Sequence, residues 1–538
     1  MKNNEQHWLP HLSPQVVEEA KGHLLCGYTI ALEGWRRGLQ LTWYTDQAAP
    51  FQSMKTWYVH KPGKLFSLSS STQTHYFFRS RGDLVSNEAV EAGGDKGETK
   101  KILLSAQVPT PKGDTFSSDV TDEAIKEFAV KLGYPLVLKP VNGSFGRGVI
   151  SNISNDEDLA KALYLVRGEL NEKEVIVEEY LPGKEYRLYV VGDKVVGAIE
   201  RVPANVTGDG TATIRELMEA KNRQRKDNPR LVSCPIEIDD ELMQKLEKEG
   251  RSLETVPGKD EVVFLREKSN ISLGGDPVDR LDELSDEVKR IAIEALQAFP
   301  DFHHGGVDVI TPSSDYGSDA VVLEVNPTAQ IGSLLFPMKG KGRNIPSAII
   351  DYYFPESKSQ ANKNRRTAFH FKELLLPLET RATISVDVPP PTSDKRYHKT
   401  LIVAGELNEL EFKQGLKKAA VRMSVSGFME AKSKHTSFFY IQSDSEEKLG
   451  QFVDYIQGEQ SVQHVELFPM DHSLLFFKQG FEIREDKNQV MKDLKRLKRN
   501  MKKLQRKQSL LVGLVHSYTS TKQWGKRAYS SIKTKRVY

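Results

Sequence analysis

Three oxygen-bearing side chains are spaced to hold a hard cation: Asp308, in Gly306-Val307-Asp308-Val309, and the pair Glu324 and Asn326, in Glu324-Val325-Asn326-Pro327. Successive side chains on a β-strand point to opposite faces, so Glu324 and Asn326 share a face and can grip one ion. Asp308, ending another predicted strand, supplies a third oxygen. Few protein ligands, all of them oxygen, suit Mg2+, which keeps several waters and completes its shell with nucleotide phosphates. The trio therefore predicts a magnesium–nucleotide site. The bland alternative is that Asp-x-Asx patterns cap turns and that Glu324 is a solvated strand residue; the trio alone does not separate the two.

Upstream, Gly133-Tyr134-Pro135-Leu136-Val137-Leu138-Lys139-Pro140 reads as a strand delivering Lys139 to the loop Asn142-Gly143-Ser144-Phe145-Gly146-Arg147-Gly148-Val149. Three glycines in six residues let the loop bring backbone N–H groups to phosphate oxygens, and Lys139 adds a point charge. The loop lacks the Gly-Lys-Ser/Thr ending of a P-loop and does not open a helix in the dinucleotide-binding order. Alone it also reads as a tight hairpin turn. Next, Val175-Ile176-Val177-Glu178-Glu179-Tyr180-Leu181-Pro182-Gly183-Lys184-Glu185 is a strand that breaks at Pro182-Gly183. The break frees the backbone groups of residues 179–181 for an adenine edge, and Glu185 can accept from ribose hydroxyls. An ordinary strand–turn–strand with exposed acids is the competing reading.

The elements that must position these groups are legible in outline. From residue 98 to 355, helical stretches alternate with short strands bounded by Gly and Pro, a mixed α/β pattern. Residues 1–97 hold a helix-period segment closed by a glycine, then a strand-like run through Trp43-Tyr44, and read as a separate α/β region ending in the turn formers of residues 91–97. Residues 356–397, with Pro389-Pro390-Pro391, read as a linker beyond a strand-like stretch at 383–387. Residues 398–470 read strand 399–404, helix 409–423, strands 425–429 and 437–442, helix 445–456 and strand 462–468, the β-α-β-β-α-β order of a ferredoxin-like unit. Residues 471–538 read as a basic helical tail in which Val490, Leu494, Leu497, Met501 and Leu504 form a short a/d seam. A self-associating coil, and with it a homo-oligomer, is the alternative to a single basic helix.

With 538 residues the chain has room for several domains. Two cysteines, Cys26 and Cys234, offer neither a disulfide framework nor a thiolate metal cluster and fit a reducing cytoplasm. No stretch approaches the roughly 20 apolar residues that span a bilayer, and residues 1–30 lack a basic start followed by an apolar run. The net charge of +3 hides a polar distribution: from Lys487 onward 16 Lys and Arg face the single acid Asp493. That tail suits nucleic acid, an anionic membrane surface or another acidic polymer, and equally a solvated helix.

Taken in order, lysine and glycine loop, the Glu178-x-Tyr180-Leu181-x-Gly183-x-Glu185 hinge, Asp308 and Glu324-x-Asn326 resemble the ATP-grasp superfamily. Residues 98–355, nearly half the chain, look like the ATP-grasp module of cyanophycin synthetase and of bifunctional glutathione synthetases. The likeness includes Lys101-Ile102-Leu103 through Lys112-Gly113, Glu200-Arg201-Val202-Pro203-Ala204-Asn205, and Ser269-Asn270-Ile271-Ser272-Leu273-Gly274-Gly275. It implies that Lys101 and Lys139 bind the nucleotide and that Gly143, Ser144, Gly146 and Gly148 form a mobile lid. Glu178, Tyr180 and Leu181 would flank adenine, and Glu185 would bind ribose. Asp308, Glu324 and Asn326 would hold one or two Mg2+, with Mn2+ as the alternative ion. Arg266 and Asn270 would steady the transferred phosphate and the acceptor, while Arg187 and Arg201 are weaker candidates that surface salt bridging explains as well.

The expected fold is thus α/β and α+β multidomain: an ATP-grasp fold, a ferredoxin-like (acylphosphatase-like) domain and a basic helical tail. The expected function is an ATP-dependent carboxylate–amine ligase working through an acyl phosphate on an amino acid or short peptide. The Mur-ligase-like module of cyanophycin synthetase, with its own P-loop, is not found, nor is the cysteine-ligating module of the glutathione fusion. The resemblance of residues 398–470 to acylphosphatase is degenerate: Lys413 stands where the phosphate-cradling arginine is expected, Glu409 and Glu411 replace loop glycines, and the asparagine expected after Gly427-Phe428 is replaced near Ala431. Two carboxylates in an anion seat repel the anion, and lysine lacks the bidentate fork. The contrasting readings are an ATP-binding scaffold without chemistry and a hydrolase acting through the second domain.

Overall fold

The computed structural model describes residues 6–142, 148–311, 319–391, 396–433, 435–469 and 477–484, together with Arg499. The chain divides into two compact units, Met1–Asp394 and Lys395–Tyr538. No helix among the described residues is long and apolar enough to cross a membrane.

The first unit begins with helix α1 (Leu25–Arg36), buried along its whole length. Its polar residues survive burial because they are paired: Arg37, just beyond the helix, meets Glu33 at 2.8 Å and Asp351 at 2.6 Å. Gly34 lies where a Cβ would sit 2.4 Å from Leu68, so the absent side chain sets how closely α1 approaches the sheet behind it. That sheet is antiparallel and contains β1 (Gln40–Tyr44), β2 (Leu65–Ser69) and β3 (Thr74–Phe78). Its outer strand is Ser385–Val388, paired to β1 from Ser385 opposite Tyr44 to Val388 opposite Leu41. The stretch read as a linker is therefore structured. It contains helix Phe371–Glu379 and this strand, and Trp35 Nε1 donates to the Pro389 carbonyl at 2.7 Å. The turn formers of residues 91–97 are likewise not a boundary. They lie in α2 (Asn87–Gly94) and at the start of α3 (Lys96–Ser105), where the Asp95 carboxylate accepts from the Glu98 amide at 2.9 Å as an N-cap.

Two further sheets follow. A four-stranded antiparallel sheet runs β4 (Gly113–Phe116), β7 (Val175–Glu179), β5 (Leu136–Pro140), β6 (Ile150–Ile153), backed by α4 (Asp122–Leu132) and α5 (Asp156–Leu163). A five-stranded antiparallel sheet runs β12 (Asp276–Asp279), β9 (Lys194–Val202), β8 (Lys184–Val191), β13 (His304–Thr311), β14 (Val321–Asn326). On β8, Tyr186, Leu188 and Val190 face one way and pack on α8 (Asp286–Gln297) with Val307, Val309 and Val325. Strand alternation then sends Glu185 and Arg187 to the opposite face. A smaller core forms where β10 (Asn205–Thr207) and β11 (Val262–Phe264) meet α6 (Ile214–Asp227) and α7 (Asp240–Lys248).

The second unit has β15 (Tyr397–Gly405), α9 (Leu410–Arg422), β16 (Ser426–Ala431), β17 (Thr436–Ser443), α10 (Glu446–Gly458) and β18 (Val462–Leu467). Its sheet order is β18-β15-β17-β16, all antiparallel, and β19 (Phe481–Arg484) adds a parallel strand beside β16. The β-α-β-β-α-β succession read from the sequence is present, while β19 falls within the stretch read as helical tail. The a/d seam and the rest of the tail from residue 485 lie outside the described residues, Arg499 excepted.

Because Ser385–Val388 completes the first sheet, a chain ending after residue 391 is expected to stay soluble with a cooperative melt. One ending after residue 380 should expose β1 and aggregate; equal melting curves for the two would show that the outer strand is dispensable.

Candidate active site

The polar face of the five-stranded sheet collects the predicted metal residues. Asp308 on β13 lies opposite Glu324 on β14 and opposite Arg187 on β8, so all three project from the same face. The β13–β14 register shifts just after the Asp308–Glu324 pair, with Val309 opposite Val322, and this bulge re-aims the side chains at the strand ends. Asn326 Nδ2 donates to Glu324 Oε1 at 3.2 Å, which places the two predicted partners side by side.

Asp308 is the hub. Arg187 grips it bidentately, Nε to Oδ1 at 2.6 Å and Nη2 to Oδ2 at 2.7 Å, and Arg201 on β9 adds Nη1 to Oδ2 at 2.5 Å. Burial opposes ionisation of Asp308, yet the two guanidinium groups hold its carboxyl well below the usual carboxylate range. The same charge, after burial itself, pushes Glu324 up. Two adjacent carboxylates, one reluctant to ionise, form a donor set that a divalent cation suits, with Asn326 as a neutral third oxygen. Among the described residues no group of three or more His, Cys, Asp and Glu is arranged to hold a metal ion. A bound ion would therefore draw its other ligands from water and phosphate.

Arg201 also reaches Asn270 Oδ1 at 3.4 Å and Glu185 at 3.6 Å, and Ser269 Oγ donates to Glu185. Asn270 and Glu185 are thus both in the site. Arg266 is not brought to it: its guanidinium meets Asp239 at 2.6 Å, Glu241 at 3.3 Å and the Glu237 carbonyl at 3.2 Å. Asp239 caps α7, so Arg266 buttresses that helix in this structure, with its Nε buried and unpartnered among the described residues. Arg187 and Arg201, read as weaker candidates, hold the central carboxylate instead.

On the four-stranded sheet Lys139 and Glu178 share a face and pair at 2.5 Å. The lysine expected beside them is misplaced by one residue. Lys101 is exposed and meets Glu98 at 3.6 Å, whereas Lys100 is buried, lies 3.6 Å from Glu178 and donates to the Pro111 carbonyl. Lys96, one turn earlier on α3, donates to the Val141 carbonyl at 3.4 Å. Burial lowers the affinity of Lys96 and Lys100 for their protons; Glu324 and Glu178 respectively oppose this, and Lys139 adds to it. Leu103 is buried on the same helix, and the i, i+4, i+7 series 96, 100, 103 would have singled out Lys100 had α3 been recognised.

At the hinge, the Glu179 and Tyr180 amides already donate to the Lys112 and Pro135 carbonyls, at 2.8 and 3.0 Å. Among the described residues only the Leu181 amide of this trio is left for an outside acceptor. Gly148 follows the loop with φ +73°, a conformation glycine adopts without strain. Gly143, Ser144 and Gly146 lie outside the described residues.

Replacing Asp308 by Asn leaves two mostly buried guanidinium groups without their counterion and should cost about 3–5 kcal/mol of stability. Adding Arg187→Met should recover part of it. A denaturant melt in which the double variant is no more stable than Asp308→Asn would refute this coupling.

Residues 93–212 match the RimK-like ATP-grasp domain family. Cyanophycin synthetase of Synechocystis sp. is 35% identical over 274 residues, covering 49% of this chain and 31% of that protein. The bifunctional glutathione biosynthesis protein of Enterococcus faecalis is 36% identical over 276 residues, covering 49% of this chain and 35% of that protein. The chain thus spans about a third of the length of these curated relatives. A crystal structure of a bifunctional glutathione synthetase from Pasteurella multocida aligns with 55% of this chain and 41% of that one, at 30% identity and a TM-score of 0.43. Residues 93–212 are thus similar to RimK-like ATP-grasp domains, and about half of the chain is similar in sequence to parts of cyanophycin synthetases and bifunctional glutathione synthetases.

Proposed function

We propose that the chain is an ATP-dependent carboxylate–amine ligase acting on an amino acid or short peptide. The observation that supports this best is the convergence of Arg187, Arg201, Glu185, Asp308, Glu324, Asn326 and Asn270 in one site. A scaffold that merely binds ATP has no use for that many charged groups around one carboxylate pair.

A carboxylate resists amines because its leaving group would be oxide. Transfer of the γ-phosphoryl group to the carboxylate oxygen releases ADP and makes an acyl phosphate. The amine then adds at the carbonyl carbon, phosphate leaves with the C–O bonding pair, and the amine proton goes to solvent. The protein's task is to position the reactants and neutralise charge. Lys96, Lys100 and Lys139 supply cationic donors for phosphate oxygens, and Glu178 holds Lys139 in place. Arg201 and Asn270, in contact at 3.4 Å, would steady the transferred phosphoryl group, and Glu185 and the Leu181 amide would take ribose and adenine. Mg2+ held by Asp308, Glu324 and Asn326 would supply further neutralisation of phosphate charge. No nucleophilic side chain is required.

We infer that the second unit is an acylphosphatase-like domain with a dead site. Glu409 and Glu411 are exposed at the start of α9, where an anion would have to approach, and Lys413 is one turn further on. The excess of Lys and Arg from Lys487 onward supports an anionic partner for the tail, the a/d seam from Val490 to Leu504 supports self-association, and the two cysteines fit a cytoplasmic location.

Incubation with ATP, Mg2+ and amino-acid pools should release ADP, and added hydroxylamine should trap the acyl phosphate as a hydroxamate. Lys139→Ala and Glu324→Ala should each lower this by about a hundredfold or more. ATP binding with no stimulation by any pool would favour the scaffold. Acetyl phosphate should not be hydrolysed above background; turnover abolished by Lys413→Ala but not by Glu324→Ala would instead establish the second unit as a hydrolase.

A further inference from the structure

The first unit contains a second group of cations that the ligase chemistry above does not use. Four segments converge there. The Gly22 amide donates to the Pro229 carbonyl at 3.0 Å, the Arg79 amide to the Lys64 carbonyl at 2.8 Å, and Ser80 Oγ to the Ala329 carbonyl at 2.7 Å. A Cβ on Gly332 would sit 2.8 Å from Arg230 Cδ, and one on Gly27 would sit 3.7 Å from Arg79 Cα. These contacts bring His23, Lys64, Arg79 and Arg230 into one neighbourhood.

None of the four has a carboxylate partner among the described residues. Arg230 is 6% exposed; its Nη1 reaches Cys234 Sγ at 2.8 Å, and its Nε is buried without a hydrogen-bond partner. The Arg79 guanidinium stacks 5.0 Å from the Phe78 ring centroid and 6.0 Å from that of Trp57, and its Nε is likewise buried and unpartnered. Lys64 Nζ donates to the Tyr58 carbonyl, and His23 is exposed at the rim. Burial followed by Arg230, Arg79 and Lys64 disfavours a proton on His23, and burial followed by Arg79 and Lys61 disfavours one on Lys64. Arg37, Arg187, Arg225, Arg266 and Arg343, also buried or nearly so, each meet an acid, while Arg36 and Arg81 are satisfied chiefly by backbone carbonyls and Asn87. Like charges crowded into a half-buried site, with guanidinium donors unused, are costly unless an anion completes them.

The cluster also adjoins the candidate active site. Ala329, held by Ser80, follows Asn326 by three residues in the chain, and a Cβ on Gly306 would touch Ala329 Cβ at 2.6 Å and Arg187 Cδ at 3.7 Å. One α-carboxylate needs a single guanidinium fork; Lys64, Arg79 and Arg230 carry three positive charges without an acid and call for two negative charges, with His23 as a neutral neighbour.

We propose that His23, Lys64, Arg79 and Arg230 form a subsite for a dicarboxylate portion of the substrate that is not activated during ligation. This rests on the ligase reading for its place in the reaction, but not for its existence. The test is calorimetric titration of the full chain with L-aspartate, L-glutamate and the dipeptide Asp-Asp, against asparagine, glutamine and inorganic phosphate. At least one dicarboxylate should bind about tenfold or more tightly than its amide, and Arg79→Met and Arg230→Met should each weaken it by about tenfold. Nucleotide affinity in these variants should stay within about twofold of the parent. Should Arg230→Met not fold, Arg79→Met and Lys64→Gln, at less buried positions, decide the matter. Equal affinity for acids and amides, binding of phosphate alone, or binding of none of these probes overturns the proposal. A chain that takes a dicarboxylate but no ATP would sink the ligase reading and leave the subsite standing.

Discussion

The site is organised by one buried carboxylate held between two guanidinium groups. Asp308 on β13 satisfies Arg187 on β8 and Arg201 on β9, and those three strands are thereby locked in register across the middle of the sheet. A buried charge of this kind is tolerable only when its partner charges are also ordered and aligned. Antiparallel pairing provides this, because Arg187 sits directly opposite Asp308 and one residue either way would point it into the Leu188–Val309 core. Hydrophobic burial on α8 therefore fixes the geometry of the polar side, and the polar side forbids slippage of the apolar one.

Arg201 extends the same network to the smaller lobe. Through Asn270 and Glu185, and through Ser269 on Glu185, the loop after β11 is tied to the central sheet although its lobe has a separate core. The short bond here is that of Ser269 Oγ to the Glu185 carboxylate, whereas the Arg201 contacts at 3.4 and 3.6 Å are long and weaker. Whatever occupies the space beside Arg201 is thus sensed by both lobes.

Much of this was legible in the chain because it is periodic. Strand alternation alone put Glu324 and Asn326 on one face, and the second unit's helices and strands were placed to within about two residues because they are short, amphipathic and bounded by turn residues. What escaped was non-local. Ser385–Val388 pairs with β1 across more than three hundred residues, and no local pattern distinguishes such a strand from an extended connector beside prolines. Gly93 and Gly94 read as a boundary, yet a Cβ on Gly93 would lie 3.0 Å from Pro327; the glycine serves the approach of α2 to the end of β14. Lys101 was chosen over Lys100 because only the helical face of α3 tells them apart. Arg266 was assigned by resemblance, and its acidic partners on α7 could not be read from spacing.

Under the proposed reading, the arginine pair also sets the order in which a cation could be acquired. Arg187 engages both oxygens of Asp308 and Arg201 engages one, so that carboxylate has little charge left to offer a free ion. Glu324 is pushed toward its neutral form by burial and by Asp308, which weakens it as a lone ligand too. A divalent ion arriving alone would have to outcompete two guanidinium groups. One arriving on a triphosphate brings several negative oxygens of its own, and these can take over part of the arginines' and lysines' charge as the carboxylates turn to the metal. If the proposed function holds, Asp308 and its arginines would favour the metal–nucleotide complex over the bare ion, on charge balance within the site.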